Sequence, residues 1–562
     1  MRIASAIILR ISSVLIIAVC LGCCSTLKAQ NDKSVEGSPA MDTIPLTKEH
    51  IAAVNRERRV IFHHDVLSPY VPFGTDGVGP EQLDETIAFY MAALDAEPNQ
   101  IDSVWYDWGE GNIAAWPSKV LPMAPRFLPQ WWEAGLDPVQ LLLEAARERG
   151  REVFFSHRIN GADIDYVEAF GYEGFALPPM KQEHPEWLHD PLPALPQKHW
   201  NFAIPQVREY KVRVLRELAQ NYEFDGISLD FARIPASFPA GEQWLNRDLL
   251  TDFIRQVRLV LLEVEQQRGR PFLLAVRIPE NIVGCHFDGI DVERWAGERL
   301  VDILVLGCGA AHIDLPAFRR ITAGTGIKLY PSWDPIHPPD GYRVPPIEVW
   351  RGLYANWWRL GADGTYTFNL GTAVPPDASR LGLPGPLIGW EMESQLNREL
   401  GSPETLQYKD KVFIVERRGG SHGVTVAPDP SDWYTPRHMY FLTCMFAPLP
   451  TPLANDGKAD TLLTLAVADD VQAASDRLEE LTLRILLSNL GGQSLTEDLI
   501  EVRVNNLLLG PARVEESWLV FPADPRQLAV GDNLVGVRVA QRPPDVREEI
   551  MIEKVELHVR YN

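Results

Sequence analysis

The sequence predicts an α/β fold, a (β/α)8 TIM barrel followed by a C-terminal antiparallel β-sandwich of jelly-roll type. Three observations predict it. From about residue 58, short β-like runs alternate with amphipathic helical stretches, the order that builds a parallel sheet. Eight such runs occupy about 310 residues, the repeat number and length of a closed barrel. The final hundred or so residues then change to the period-two alternation of half-buried strands, with no helical pattern between them.

The eight barrel strands are read at 60–65, 101–107, 152–158, 226–231, 272–278, 303–307, 328–333 and 364–369. Helical patterns lie between them at 80–96, 138–150, 205–222, 248–268, 316–324 and 346–360. Several open with proline near the first turn and some close with glycine, the expected asymmetry of helix ends. A doubly wound open sheet is the alternative, but no GxGxxG follows the first strand. The segment 160–205 is too long for a simple βα loop and carries His184-Pro185-Glu186-Trp187 and Lys198-His199-Trp200-Asn201-Phe202. Long loops at the C-terminal ends of barrel strands build substrate sites. In the tail, strands are read at 461–467, 481–488, 499–504, 518–521, 533–539 and 550–561. The implied organisation is a leader over 1–29, a tether over 30–57, the barrel over 58–372, a connector over 373–460 and the sandwich over 461–562. Trp518 is the only tryptophan of that last domain, so bracing the barrel is favoured over glycan binding for it.

Charge and cysteines exclude several classes. Lys and Arg total 53 against 76 Asp and Glu, a formal net charge of -23, which disfavours nucleic acid and anionic membrane surfaces as partners. Arg2 and Arg10 precede the apolar run 11–22, too short to span a bilayer but suited to a signal-peptide core. Cys23 after Leu21-Gly22 resembles a bacterial lipobox, although Cys20 stands where an aliphatic is usual; cleavage after Ala29 is the alternative. The expectation is an exported protein, periplasmic, extracellular or held at the outer membrane by lipid alone. Of six cysteines three lie in the leader, and Cys285, Cys308 and Cys444 show no CxxC spacing, which argues against a disulfide framework or zinc ribbon.

The segment with the clearest chemistry is 224–235, Phe-Asp-Gly-Ile-Ser-Leu-Asp-Phe-Ala-Arg-Ile-Pro. Side chains alternate along a strand, so Ile227, Leu229 and Phe231 face the helices while Ser228 and Asp230 face the barrel axis. A carboxylate at the C-terminal end of a barrel strand is a poor packing choice and a good catalytic one. A buried salt bridge to Arg233 or Arg277 is the bland alternative. The run DGISLDFARIP resembles the strand-four signature DGIHLDYIRYP of the glycosyl-hydrolase-like 10 family of TIM barrels, formerly a domain of unknown function. The likeness extends over about residues 58–372, through the Pro-Glu-Trp and Asn-Phe-Ala segments. Ser228 replaces the usual His and Ile234 the usual Tyr. The resemblance implies a barrel acting on glycosides.

Glycoside hydrolysis uses two carboxyls flanking the scissile bond. With Asp230 as nucleophile or base, Glu280, just past strand five, is the first choice of acid, followed by Asp334 after strand seven and Asp107 at the end of strand two. Trp105, Trp108, Trp116 and Trp333 are placed to stack on sugar rings. Arg158, Arg233 and Arg277 are suited to clamping an acidic or sulfated sugar, or to pairing with Asp230. His157 and Asn369 complete the expected substrate contacts. His63 and Asp65 share a face of strand one, but they supply too few ligands for a metal site, and no cofactor is implied. The function expected is an exported glycoside hydrolase acting on a poly- or oligosaccharide. A non-catalytic glycan-binding envelope barrel is the alternative, with a metal-dependent hydrolase at His63 and Asp65 third.

Overall fold

The computed structural model describes residues 43–562 except 68–70, 76, 110, 124–127, 161–178, 190–198, 234–236, 335–341, 343, 373–374, 376–380, 382, 384–387, 418–446, 454–457, 491–494, 541–545 and 547–548. The leader with Cys23, and also Glu110, Lys198, Ile234 and Cys444, lie outside the described residues.

Eight parallel strands close into a barrel: β1 (Val60–Asp65), β2 (Ile101–Asp107), β3 (Glu152–Arg158), β4 (Gly226–Asp230), β5 (Leu273–Ile278), β6 (Ile303–Leu306), β7 (Lys328–Trp333) and β8 (Thr365–Thr367). Each pairs with its sequence neighbours, and β8 returns to β1 through Val60↔Thr365. All eight fall where the sequence places them, because a strand buried on both faces between proline-started helices carries a strong local signal. Ile227, Leu229 and Phe231 pack in the layer between sheet and helices, whereas Ile61, Trp105, Phe154, Ala275, Val305, Tyr330 and Phe368 fill the interior.

The interior is tightly packed at Gly226. A Cβ built there would lie 2.2 Å from Phe154 Cε1 and 2.7 Å from the Leu273 carbonyl oxygen. Glycine thereby admits the stacked Trp105–Phe154 pair, whose centroids are 4.6 Å apart. Gly226→Ala is expected to destabilise by about 2–3 kcal/mol through overpacking, read as a lower denaturation midpoint with an unchanged m-value.

Residues 30–57 do not all form a tether. Thr47 accepts from the His50 amide and caps a helix, Lys48–Val54, that lies at the N-terminal ends of β5 and β6. His50 is fully buried, with Nδ1 2.6 Å from Glu265 Oε2 and Nε2 2.9 Å from Asp302 Oδ1. Arg258 donates to both Asp302 oxygens, at 2.6 and 2.7 Å. Asp302 also accepts from the Leu274 amide, and Glu265 from the Phe272 amide, so the latch joins the helix to the starts of both strands. Polar composition suggests a tether because it carries no trace of partners more than 200 residues away.

The C-terminal part contains two antiparallel sheets. One runs β9–β17–β11–β15–β14 and the other β10–β16–β12–β13, with β9 (Lys411–Ile414), β10 (Thr461–Val467), β11 (Leu478–Ser488), β12 (Ile500–Val504), β13 (Leu507–Leu508), β14 (Arg513–Glu515), β15 (Trp518–Pro522), β16 (Gly531–Val539) and β17 (Met551–Tyr561). Apolar residues of both sheets share one core. That core begins before residue 461: β9 comes from the segment read as connector. It alternates Val412 and Ile414 into the barrel's outer core with Phe413 into the core of the sheets. Polar ties add to this joint, among them Asn356 Nδ2 to the Ala466 carbonyl at 3.0 Å and Tyr342 Oη to Glu556 Oε1 at 3.1 Å. Deleting residues 461–562 strips β17 from β9 and exposes Phe413. The truncated protein is therefore expected to melt several degrees lower, and a truncated barrel that melted with the full chain would overturn the bracing role.

Candidate active site at the C-terminal mouth of the barrel

The inward positions of successive strand ends converge on one mouth. β1 supplies His63 and Asp65, β2 Asp107, β3 Ser156 and Arg158, β4 Asp230 and β5 Arg277. In register, Arg158 lies beside Asp230, and Asp230 beside Arg277. Arg277 Nη1 donates to Asp230 Oδ2 at 3.0 Å, and its Nε donates to the Gly307 carbonyl at 3.1 Å. Its guanidinium carbon stands 4.0 Å from the centroid of the Phe368 ring. Arg158 Nη2 donates to Asp65 Oδ2 at 2.8 Å, and its Nε lies 3.4 Å from Asp107 Oδ2. The result is a chain of charges across five adjacent strands, Asp65 and Asp107 against Arg158 and Asp230 against Arg277.

Asp230 is 2 % exposed. Its Oδ1 accepts from the backbone amides of Ala232 and Arg233, both at 2.9 Å, because the chain turns sharply off β4. Burial pushes its carboxyl up, but Arg277, the Arg233 amide and Arg158 outweigh that and hold it below the ordinary carboxylate range. Asp65 follows the same pattern, with burial opposed by Arg158 and Arg233. Both are anions at neutral pH, so either can act as base or nucleophile and neither is a proton donor.

His63 is neutral. Burial, then the charges of Arg277 and Arg158, lower its pKa to about 3. Its ring stacks on Phe368 at 4.6 Å. Its Nδ1 accepts from the Asn369 amide at 3.4 Å, which leaves the proton on Nε2, 3.9 Å from Asp107 Oδ2. Asn369 adopts a left-handed φ of 52°, a conformation asparagine tolerates.

Of the acids expected beside Asp230, the structure separates three environments. Asp107 belongs to the same charge chain and also accepts from Ser156 Oγ at 3.3 Å. Asp334 is fully buried, its amide donates to the Cys308 carbonyl at 2.8 Å, and its charge acts on both Arg277 and Cys308, as that of Asp230 does. Glu280 lies on the wall of a cavity of about 540 Å³ at the junction with the C-terminal sheets, and its Oε1 accepts from Asn281 Nδ2 at 3.3 Å. Asp334 thus shares electrostatic neighbours with Asp230.

The tryptophans do not form open platforms. Trp105 stacks inside the barrel on Phe154 and donates to Ser103 Oγ. Trp108 packs among Phe73 and its neighbours outside the sheet, Trp116 donates to Glu217, and Trp333 meets Trp350 edge to face at 5.2 Å. All four are buried. Trp108 and Trp333 have the wrong strand parity to face the axis, and Trp105 sits too deep. Arg158 and Arg277 are likewise engaged by carboxylates, so they are not free clamps for an acidic sugar. Arg233 is buried and its charge acts on Asp65. His157 points outward beside Gly111 and is kept neutral by burial and the charge of Lys211. Among the described residues, no group of three or more His, Cys, Asp or Glu is arranged to hold a metal ion.

Sequence reasoning missed Phe368 as the apolar plate of the mouth and Asp65 as the partner of Arg158. The alternation along β1 and β8 is the signal that could have found them.

No family model matches the chain, and no curated protein matches it. Among solved structures it is similar to the glycoside hydrolase domain of PgaB (BpsB) from Bordetella bronchiseptica, at 15% identity over 58% of this chain and 97% of that one, with a TM-score of 0.40. It is similar to alpha-L-fucosidase isoenzyme 2 from Paenibacillus thiaminolyticus, at 16% identity over 58% of this chain and 48% of that one, with a TM-score of 0.36. It is also similar to an Anoxybacillus alpha-amylase, at 12% identity over 87% of this chain and 98% of that one, with a TM-score of 0.35.

Proposed function

We propose that this protein is an exported glycoside hydrolase whose reaction takes place at the C-terminal mouth of the barrel. The observation that carries the reading is Asp230, an ionised, buried carboxylate at the C-terminal end of β4, with further carboxyls at the ends of β2 and β7. In this reading Asp230 is the nucleophile or the base. Arg277 and the two amides hold it in one rotamer and keep it deprotonated, so its lone pair is aimed before substrate arrives. Since Asp65 and Asp230 are both anions, the proton for the leaving oxygen comes from another carboxyl. Asp334 suits that role better than Glu280, because it shares the electrostatic surroundings of Asp230.

The substrate is an uncharged sugar chain in this reading. Arg158 and Arg277 are already engaged by Asp65 and Asp230, so neither is left to clamp an anionic ring. The second reading is a glycan-binding barrel without catalysis, and the direct pairing of Arg277 with Asp230 and of Arg158 with Asp65 favours it. A screen of the purified full chain against defined oligosaccharides, beside Asp230→Asn, tests the two. Turnover by the native protein that the variant lacks is the expected result. Glycan binding without turnover in either protein would leave the binding reading.

A further inference from the structure

We propose that Trp244 is a sugar-stacking platform on the rim of the active face, forming a subsite distal to Asp230 for an extended saccharide; this deepens the glycan reading above and rests on it. Among the described residues Trp244 is the only exposed tryptophan, at 40 %. It lies in the connection from β4, the strand of Asp230, to the helix Arg247–Arg268. Its ring meets His286, which comes from the connection after β5, the strand of Arg277, at a centroid distance of 4.3 Å and an interplanar angle of 43°. The rim at Trp244 therefore joins the two loops that follow the strands of the ion pair.

The indole is held before any ligand arrives. The Arg247 guanidinium stands 4.8 Å from the ring centroid, and its Nη1 donates to the Trp244 carbonyl at 2.8 Å. His286 is fixed in turn by Glu293, at 2.9 and 3.0 Å. A preorganised aromatic loses little rotamer freedom on binding. Leu245 and Val283, on the same two connections, are 76 % and 61 % exposed. The apolar C–H face of a pyranose fits the exposed part of the indole, while Arg247 and His286 offer polar atoms to its hydroxyls. Among the described residues, the exposed large apolar side chains of these two connections are Trp244, Leu245 and Val283, too few for the roughly 20–30 residues a side of a stable protein interface, so a saccharide is the occupant that matches.

The test uses the full chain with Trp244→Ala and Trp244→Phe, and maltose-, cellulose-, xylan- and chitin-type oligosaccharides of two to six units as probes. Calorimetry in the Asp230→Asn background measures binding, and the native background measures turnover. The expected result is that Trp244→Ala lowers the preference for six units over two by about five- to tenfold, while Trp244→Phe keeps most of it and both variants melt with the native protein. An unchanged preference in Trp244→Ala would overturn the platform even where turnover is intact, and so would failure of every probe to bind. Six-unit binding that Trp244→Ala weakens, in a native protein without turnover, would overturn the hydrolase reading and leave the platform standing. A Trp244→Ala protein that melts well below the native one, with Trp244→Phe showing the native preference at native stability, is still decided by probe length: the phenyl variant must lose preference for long probes when its ring is removed to leucine in Trp244→Leu, or the platform fails.

Discussion

Asp230→Asn is expected to lower turnover by a thousandfold or more, about 4 kcal/mol of barrier, while lowering stability by only about 1–3 kcal/mol. The amide keeps the shape of the side chain and can still accept from Ala232 and Arg233. What it loses is the charge that would attack or stabilise an oxocarbenium-like centre. Breaking a buried ion pair commonly costs about 3–5 kcal/mol, because the surviving charge is left uncompensated. Here Arg277 retains the Gly307 carbonyl and the Phe368 face, so the loss falls short of that ceiling. The double variant Asp230→Asn/Arg277→Gln removes the uncompensated cation and is expected to recover stability without recovering turnover. Melting temperature and turnover measured on the same preparations separate the roles. A fall of 3–5 kcal/mol with specific activity surviving in the folded fraction would assign Asp230 to structure alone.

His50→Ala is expected to destabilise the protein by on the order of 3 kcal/mol near pH 6, and by progressively less as the pH approaches 9. Burial lowers the His50 pKa, but hydrogen bonds to Asp302 and Glu265 outweigh it and raise the value from 6.5 to about 9. The folded state therefore binds a proton that the unfolded chain has released. That contribution is complete below about pH 6.5, declines as pH rises, and is gone once pH passes about 9. Glu265 and Asp302 work in the opposite sense. Burial raises both, but their cationic partners prevail and lower them, so their share is present above the ordinary carboxylate range and is lost as pH falls through it. The latch is strongest from about pH 5 to 6.5. Denaturation midpoints of native and variant protein across pH 5 to 10 check this, and a difference that stays constant across that range would refute the protonated latch.

The sequence by itself determined the barrel, its eight strands and the inward aim of Asp230. These depend on local chemistry: a period of two within strands, proline and glycine at helix ends, and the parity of a carboxylate at a strand terminus. Only the tertiary structure decided what surrounds that carboxylate. Arg277 lies 47 residues from Asp230, Asp65 lies 93 from Arg158, and His50 reaches partners 215 and 252 residues away. No local pattern encodes such pairings, because they follow from how the strands close. The same holds for the tryptophans. Composition places Trp105, Trp108, Trp333 and Trp244 in one class, yet burial divides them, and burial is a property of the packed layers. Likewise β9 reads as connector because four residues carry little periodic signal. Its alternation acquires meaning only once a core stands on each side of it.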